Sequence, residues 1–350
     1  MATLTQTAYF ARKTIKYGGI ALVFLILLRA SYITIKKLIP PKPVPPPPPN
    51  IAFGKLPKIE FPEKEILFRI NYRLETISGT LPKLDGQAKV YFMPESSVGF
   101  LSQEKIEDWA KLLKFNQKPQ KIDGSEFENL FTLSSPVNTT LKVNVLTRNF
   151  TFTYDWRSDP GFSFQPAPDA NQSVSLAAGF LESAQSSPSD INPANNKIVY
   201  LKNENNNLAE SIPQEANFSK VNFYRQTADS LKILPPDLKN ANIYVIISPI
   251  KNNYNGIVEA RYVHNIISTE INATYPLKDV NQAWTQLLEG KGYIANIGDN
   301  PEGNIIVRNA YLAYYEGEKP QGYLQPIVVF EGDRDFTAYV PAITDNLFTD

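Results

Sequence analysis

The segment Tyr17–Ile35 constrains this chain most. It is 19 residues long and encloses the apolar run Gly18-Gly-Ile-Ala-Leu-Val-Phe-Leu-Ile-Leu-Leu28. A bilayer core of about 30 Å takes roughly 20 helical residues to cross, so the segment is just long enough. Arg29 lies inside it but near one end, where its guanidinium can snorkel to the headgroups, and Tyr32 suits the interface. The same run would serve as the core of a cleaved signal peptide. No clean small-residue cleavage site is present and Lys36-Lys37 follows at once, which favours a retained anchor. Arg12, Lys13 and Lys16 before the span balance Lys36, Lys37 and Lys42 after it, so the positive-inside rule gives no direction. A short tail, an early span and a long remainder form a signal-anchor plan. They predict a single-pass cell-membrane protein with its C-terminal part outside the cytoplasm.

Residues 40–50 read Pro-Pro-Lys-Pro-Val-Pro-Pro-Pro-Pro-Pro-Asn. Such a run adopts polyproline II, rising about 3.1 Å per residue, and acts as a spacer of roughly 30 Å. An SH3-type ligand would instead require a cytoplasmic location. The expected partition is a tail at 1–16, a membrane helix at 17–38, a spacer at 39–58, a first α+β domain at 59–185 and a second at 186–350. At 350 residues and 43% hydrophobic, the chain can build two sizeable cores. Its 35 basic and 35 acidic residues cancel, which argues against a nucleic-acid partner. With no cysteine, disulfides, thiolate metal sites and cysteine nucleophiles are excluded. A cysteine-free exported domain points to a bacterium. The sequons at Asn138, Asn149, Asn171, Asn217 and Asn272 would then be chance, whereas in a eukaryotic secretory pathway they would be glycan sites.

Period-2 alternation predicts strands at Ile66–Leu74, Leu141–Val145 and Phe150–Trp156. Three helices are expected. One follows Ser102 and aligns Ile106, Trp109, Ala110 and Leu113. One covers roughly 172–186. The third has a capping box at Asp279 and Gln282, a stripe of Val280, Ala283, Trp284, Leu287 and Leu288, and a stop at Gly290. Residues 181–216 read as loop apart from a short strand at Ile198–Leu201. Trp109-Ala-Lys-Leu-Leu and Trp284-Thr-Gln-Leu-Leu share a pattern that hints at two related halves. The fold class is α+β: antiparallel sheets with helices packed on one face.

The last 70 residues have an order of their own. A helix at Asp279–Glu289 leads through Gly290-Lys-Gly-Tyr-Ile294 to Ala310-Tyr-Leu-Ala-Tyr-Tyr315, Tyr323-Leu-Gln-Pro-Ile-Val-Val-Phe330 and Phe336-Thr-Ala-Tyr-Val-Pro-Ala-Ile343. This helix-then-three-strand unit resembles PepSY-like domains, as in the YycH/YycI type of membrane-anchored regulators. The resemblance covers about residues 279–343. It implies a domain that binds or inhibits another membrane or envelope protein, without catalytic residues to carry over.

The residues themselves offer little chemistry. His264, the only histidine, reads as an incidental strand residue, and no nucleophile-elbow, zincin or phosphate-loop motif is present. Asp155 and Asp159 could share a hard cation, but Pro160-Gly161 makes a tight turn the simpler reading. Asp299–Gly303 and Gly332–Asp335 read as hairpin turns. Tyr311, Tyr315, Tyr323 and Tyr339 crowd the C-terminal unit and are the candidate binding face, against ordinary sheet packing. No cofactor, metal or catalytic residue is expected. The leading expectation is a non-enzymatic binding or regulatory protein. The alternatives are a cell-envelope glycan or wall hydrolase using acidic residues, and a structural surface protein.

Overall fold

A computed structural model describes residues 4–38, 47–64, 68–95, 102–250 and 252–349. The prolines at 40–46 and the first two residues of the expected Ile66–Leu74 strand lie outside these. The chain forms two compact units, Met1–Pro48 and Pro49–Asp350.

The first unit is built on helix α1, Leu4–Leu38. Within its stretch Gln6–Lys36 an 18-residue window reaches a mean hydropathy of 2.0, and none of that window is buried. Among the described residues α1 is the one helix long and apolar enough to cross a membrane. The helix takes in most of the expected tail, because no glycine or proline interrupts residues 4–17.

The second unit begins with β1 (Asn71–Leu74), β2 (Gln87–Phe92) and α2 (Ser102–Leu112). A meander follows: β3 (Gln120–Lys121), β4 (Glu128–Leu133), β5 (Thr139–Asn144) and β6 (Phe150–Tyr154). Next come α3 (Ala170–Ser183) and a hairpin of β7 (Ile191–Glu204) and β8 (Asn207–Glu210). Strands β9 (Phe218–Arg225), β10 (Ile233–Leu234), β11 (Ile243–Ile247), β12 (Ile257–Tyr262) and β13 (Ser268–Pro276) lead to α4 (Val280–Leu288). The chain closes with β14 (Tyr293–Asn296), β15 (Asn304–Tyr315), β16 (Tyr323–Gly332) and β17 (Thr337–Pro341).

These strands make two sheets. One has nine strands in the order β3-β4-β5-β6-β12-β11-β9-β7-β8 and is antiparallel throughout. The other has eight. Its spine is β1-β15-β16-β17-β14, with β10 alongside β15 and β2 joining β13 to β16. Among the described strands, only β1 and β10 run parallel to their partner β15.

Each sheet buries apolar side chains against helices. Ile106, Trp109 and Ala110 of α2 and Ala177, Phe180 and Leu181 of α3 join Phe152, Val221 and Val245 in one core. The Trp109 indole N–H donates to the Ala184 carbonyl at 2.7 Å, so the buried ring leaves no orphan donor. Helix α4 packs Val280, Ala283 and Leu287 against Phe330 and Val340 of the second sheet. Its capping box forms as expected: Asp279 Oδ1 accepts from Asn281 N at 2.8 Å, and Gln282 Oε1 accepts from Asp279 N at 3.1 Å. Trp284 is half-buried against Phe330 and Tyr72, while Leu288, expected on the buried stripe, is 50% exposed.

Several expectations need correction. The division at residues 185 and 186 does not separate the sheets, because β6 pairs with β12 from Thr153–Glu259 to Phe150–Tyr262. The expected spacer is too long: Asn50 exchanges two 2.9 Å hydrogen bonds with Thr274, and Leu56 is fully buried. Residues 191–210, read mostly as loop, form the β7–β8 hairpin. Its turn residues Asn205 and Asn206 both have positive φ, which fits a two-residue turn matched to strand twist. Asp299–Gly303 is not a hairpin turn, since β14 and β15 do not pair. It packs on the β16–β17 turn instead, with Asp299 N donating to the Arg334 carbonyl at 3.0 Å. Gly298 has a φ of +65°, in the left-handed region, and an added Cβ would sit 1.8 Å from that carbonyl oxygen.

Candidate binding cleft

The two sheets leave a cleft of about 1040 Å³ between them. That is at the upper end of the ~300–1,000 Å³ common for ligand pockets. One wall belongs to the nine-stranded sheet: Lys197 to Tyr200 of β7, Glu210 and Ser211 after it, and Tyr224 of β9. The opposite wall carries Asp299, Tyr311, Glu331, Asp335, Phe336 and Thr337. Residues 232–241 form a strap that joins both sheets. At its start Tyr314 N donates to the Lys232 carbonyl at 2.8 Å. In its middle the hydroxyls of Tyr339 and Tyr293 donate to the carbonyls of Pro235 and Pro236 at 3.1 and 2.8 Å. At its end Ala241 N donates to Asn222 Oδ1 at 3.1 Å, and Lys220 Nζ bonds Asn240. Burial lowers the Lys220 pKa against the pull of Glu259 and Asp237, and its ammonium lies 4.3 Å from the Tyr244 ring centroid.

The four candidate tyrosines do not form one exposed face. Tyr315 and Tyr339 are fully buried, the first beneath the Phe61 ring and the second holding the strap. Tyr323 packs between Phe53 and Phe92. Only Tyr311 lines the cleft. Its hydroxyl donates to Glu331 at 2.6 Å, and the Lys232 ammonium stands 5.6 Å from its ring centroid. Burial first, and then the Glu331 carboxylate, push the Tyr311 pKa well above the ordinary phenol range. Alternation along β15 explains the split, because Tyr311, Ala313 and Tyr315 share a face that is covered except at its Tyr311 end.

At one margin of the cleft Arg225 gathers a charged cluster. Its Nη1 donates to Glu316 Oε1 at 2.6 Å and to the Asn265 carbonyl at 2.9 Å, and its Nη2 bonds Asp190. His264 Nε2 lies 2.8 Å from the other Asp190 oxygen. The Arg225 and Glu316 side chains are 8% and 3% exposed, so this is a buried pair. Burial works to raise the Asp190 pKa, but His264 and Arg225 outweigh it and bring it down to about 2. His264 is therefore no incidental strand residue: it sits in the connection after β12 and ties that connection to the start of β7. Glu316 follows β15 of the other sheet, so the cluster joins the two sheets by charge. Sequence separations of 35, 74 and 91 residues hide the cluster from any local pattern. Asp159, weighed as a cation ligand, is taken up by its turn, accepting from Tyr154 Oη at 2.7 Å and Gly161 N at 2.8 Å. Among the described residues no three His, Asp or Glu side chains converge as a metal site would need.

No family model and no curated protein matches the chain. A crystal structure of an uncharacterized protein from Eubacterium rectale ATCC 33656 is similar over 74% of this chain and 84% of that one. The two are 13% identical with a TM-score of 0.32, a likeness too loose to carry an argument.

Proposed function

We propose that the chain is a membrane-anchored binding or regulatory protein, whose second unit lies outside the cytoplasm and captures a ligand in the inter-sheet cleft without chemical change. The cleft carries this reading. It is concave and sized for a ligand, and it mixes apolar walls with polar groups from both sheets. The apolar α1 supports the anchor. The PepSY-like order of residues 279–343 supports a regulatory role toward another membrane or envelope protein. A second reading, an envelope hydrolase, draws on the carboxylates Glu210, Asp299, Glu331 and Asp335 that line the same cleft.

The test is photo-crosslinking in intact cells from a photoreactive residue placed at Lys197, an exposed cleft position, or at Ile77, which is fully exposed elsewhere. The binding reading expects a discrete adduct from position 197 that position 77 does not give. Identical patterns would remove the cleft from the account. Loss of a glycan-degrading activity on Glu331→Gln would favour the hydrolase.

A further inference from the structure

We infer that the cleft takes an extended polypeptide segment, which adds to the open edge of β7 as a further strand. This rests on the cleft being the binding site and names the class of ligand. The support is backbone chemistry. Strand β7 turns the amides of its odd-numbered residues toward β9: the Leu201 carbonyl accepts from Asn217 N at 2.9 Å, and that of Lys197 from Asn222 Nδ2 at 3.4 Å. The alternation of an antiparallel ladder then points its even-numbered residues to the opposite edge. There the Tyr200 carbonyl accepts from Ser211 N at 2.9 Å. Strand β8 covers only Leu201–Glu204. Beyond it the Ile198 N–H and C=O and the Tyr200 N–H have no strand partner among the described residues. They open beside the cleft that residues 197–200 line.

A sheet edge with free donors and acceptors is a template for another chain. The far wall of the cleft keeps a second sheet from sliding in, and Lys197 discourages sheet-on-sheet pairing. A single extended strand fits. Strand side chains alternate, so every second residue of the incoming segment would meet Ile233, Leu234, Tyr311 or Phe336. The lining carries Lys197, Arg225, Lys232 and Lys239 against Glu210, Asp299, Glu331 and Asp335, so it selects no net charge. The ligand is thus a segment of an unfolded or flexible polypeptide with alternating apolar residues. A glycan lacks the regular N–H and C=O spacing that the edge requires.

The experiment uses the full chain in nanodiscs. The probe is a library of end-blocked octapeptides alternating Val, Ile, Phe or Tyr with Thr, Ser, Asn or Lys. Retained sequences are remade with N-methyl groups on alternate amides, in either of the two registers. Methylation in the register facing β7 should weaken binding about tenfold or more, and the other register should leave it nearly unchanged. Ile198→Pro, which removes one edge donor, should lose the same peptides, whereas Ile198→Ala, which trims the same half-buried side chain but keeps the donor, should retain them. If that variant does not fold, the methylated pair decides alone. Equal sensitivity in both registers, or no retained peptide, overturns the inference while leaving the position-197 crosslink to judge the cleft. A dimer of the full chain that Ile198→Pro dissolves also overturns it, since the edge would then serve a second copy.

Discussion

Arg225 holds two carboxylates and a backbone carbonyl at once, and it does so nearly out of water. Breaking a buried pair by removing one partner leaves an uncompensated charge, at a cost of about 3–5 kcal/mol. Glu316→Ala should therefore destabilise the second unit by that order in urea unfolding. Asp190 is more exposed and should matter less at neutral pH. Its pKa falls from 3.8 to about 2 on folding, so its contribution is present above about pH 4 and is lost as pH drops toward 2. Asp190→Asn should accordingly show a shallower loss of melting temperature between pH 4 and pH 2 than the wild type. None of this was legible in the sequence, where His264 stood alone and Arg225 had no neighbour of interest. The tyrosines show the reverse case. Alternation placed Tyr311 and Tyr315 on one face correctly, but only the fold decides which end of that face is covered.

At the scale of elements, α4 was the most readable part of the chain, because its cap and stripe are local. The error at Leu288 follows from the helix burying a narrower stripe than its pattern allows, through Val280, Ala283 and Leu287. Trp284 rests on Phe330 and Tyr72. Core tryptophan truncations cost about 3–5 kcal/mol, and this half-buried ring should fall at or below the lower figure. Trp284→Ala should lower the melting temperature visibly, and Lys291→Ala, exposed beyond the helix, should not. An unchanged melt for Trp284→Ala would contradict this packing. The β7–β8 hairpin was missed because its residues are mostly polar: Asn192 to Lys197 offers no apolar alternation, and pairing with β9 fixes the strand. Trp109 and Trp284 occupy unlike settings, one buried and hydrogen-bonded, the other half-exposed, so their shared pattern marks no common environment.

At the scale of the whole molecule, the apolar first helix and the α+β class were legible because both follow from composition and period. The interleaving of the sheets was not, since β6 and β12 pair across more than 100 residues. That interleaving creates the cleft, whose walls no single stretch of sequence contains. We propose that this cleft faces the outside of the cell and holds a ligand there. The chain has no cysteine, so single-cysteine variants can be read cleanly with a membrane-impermeant maleimide on intact cells. Ile77→Cys should label at once. Lys197→Cys should label slowly in cells and rapidly once the protein is purified free of its ligand. Protection of both positions until the membrane is broken, or equal labelling of both in cells and after purification, would contradict the claim.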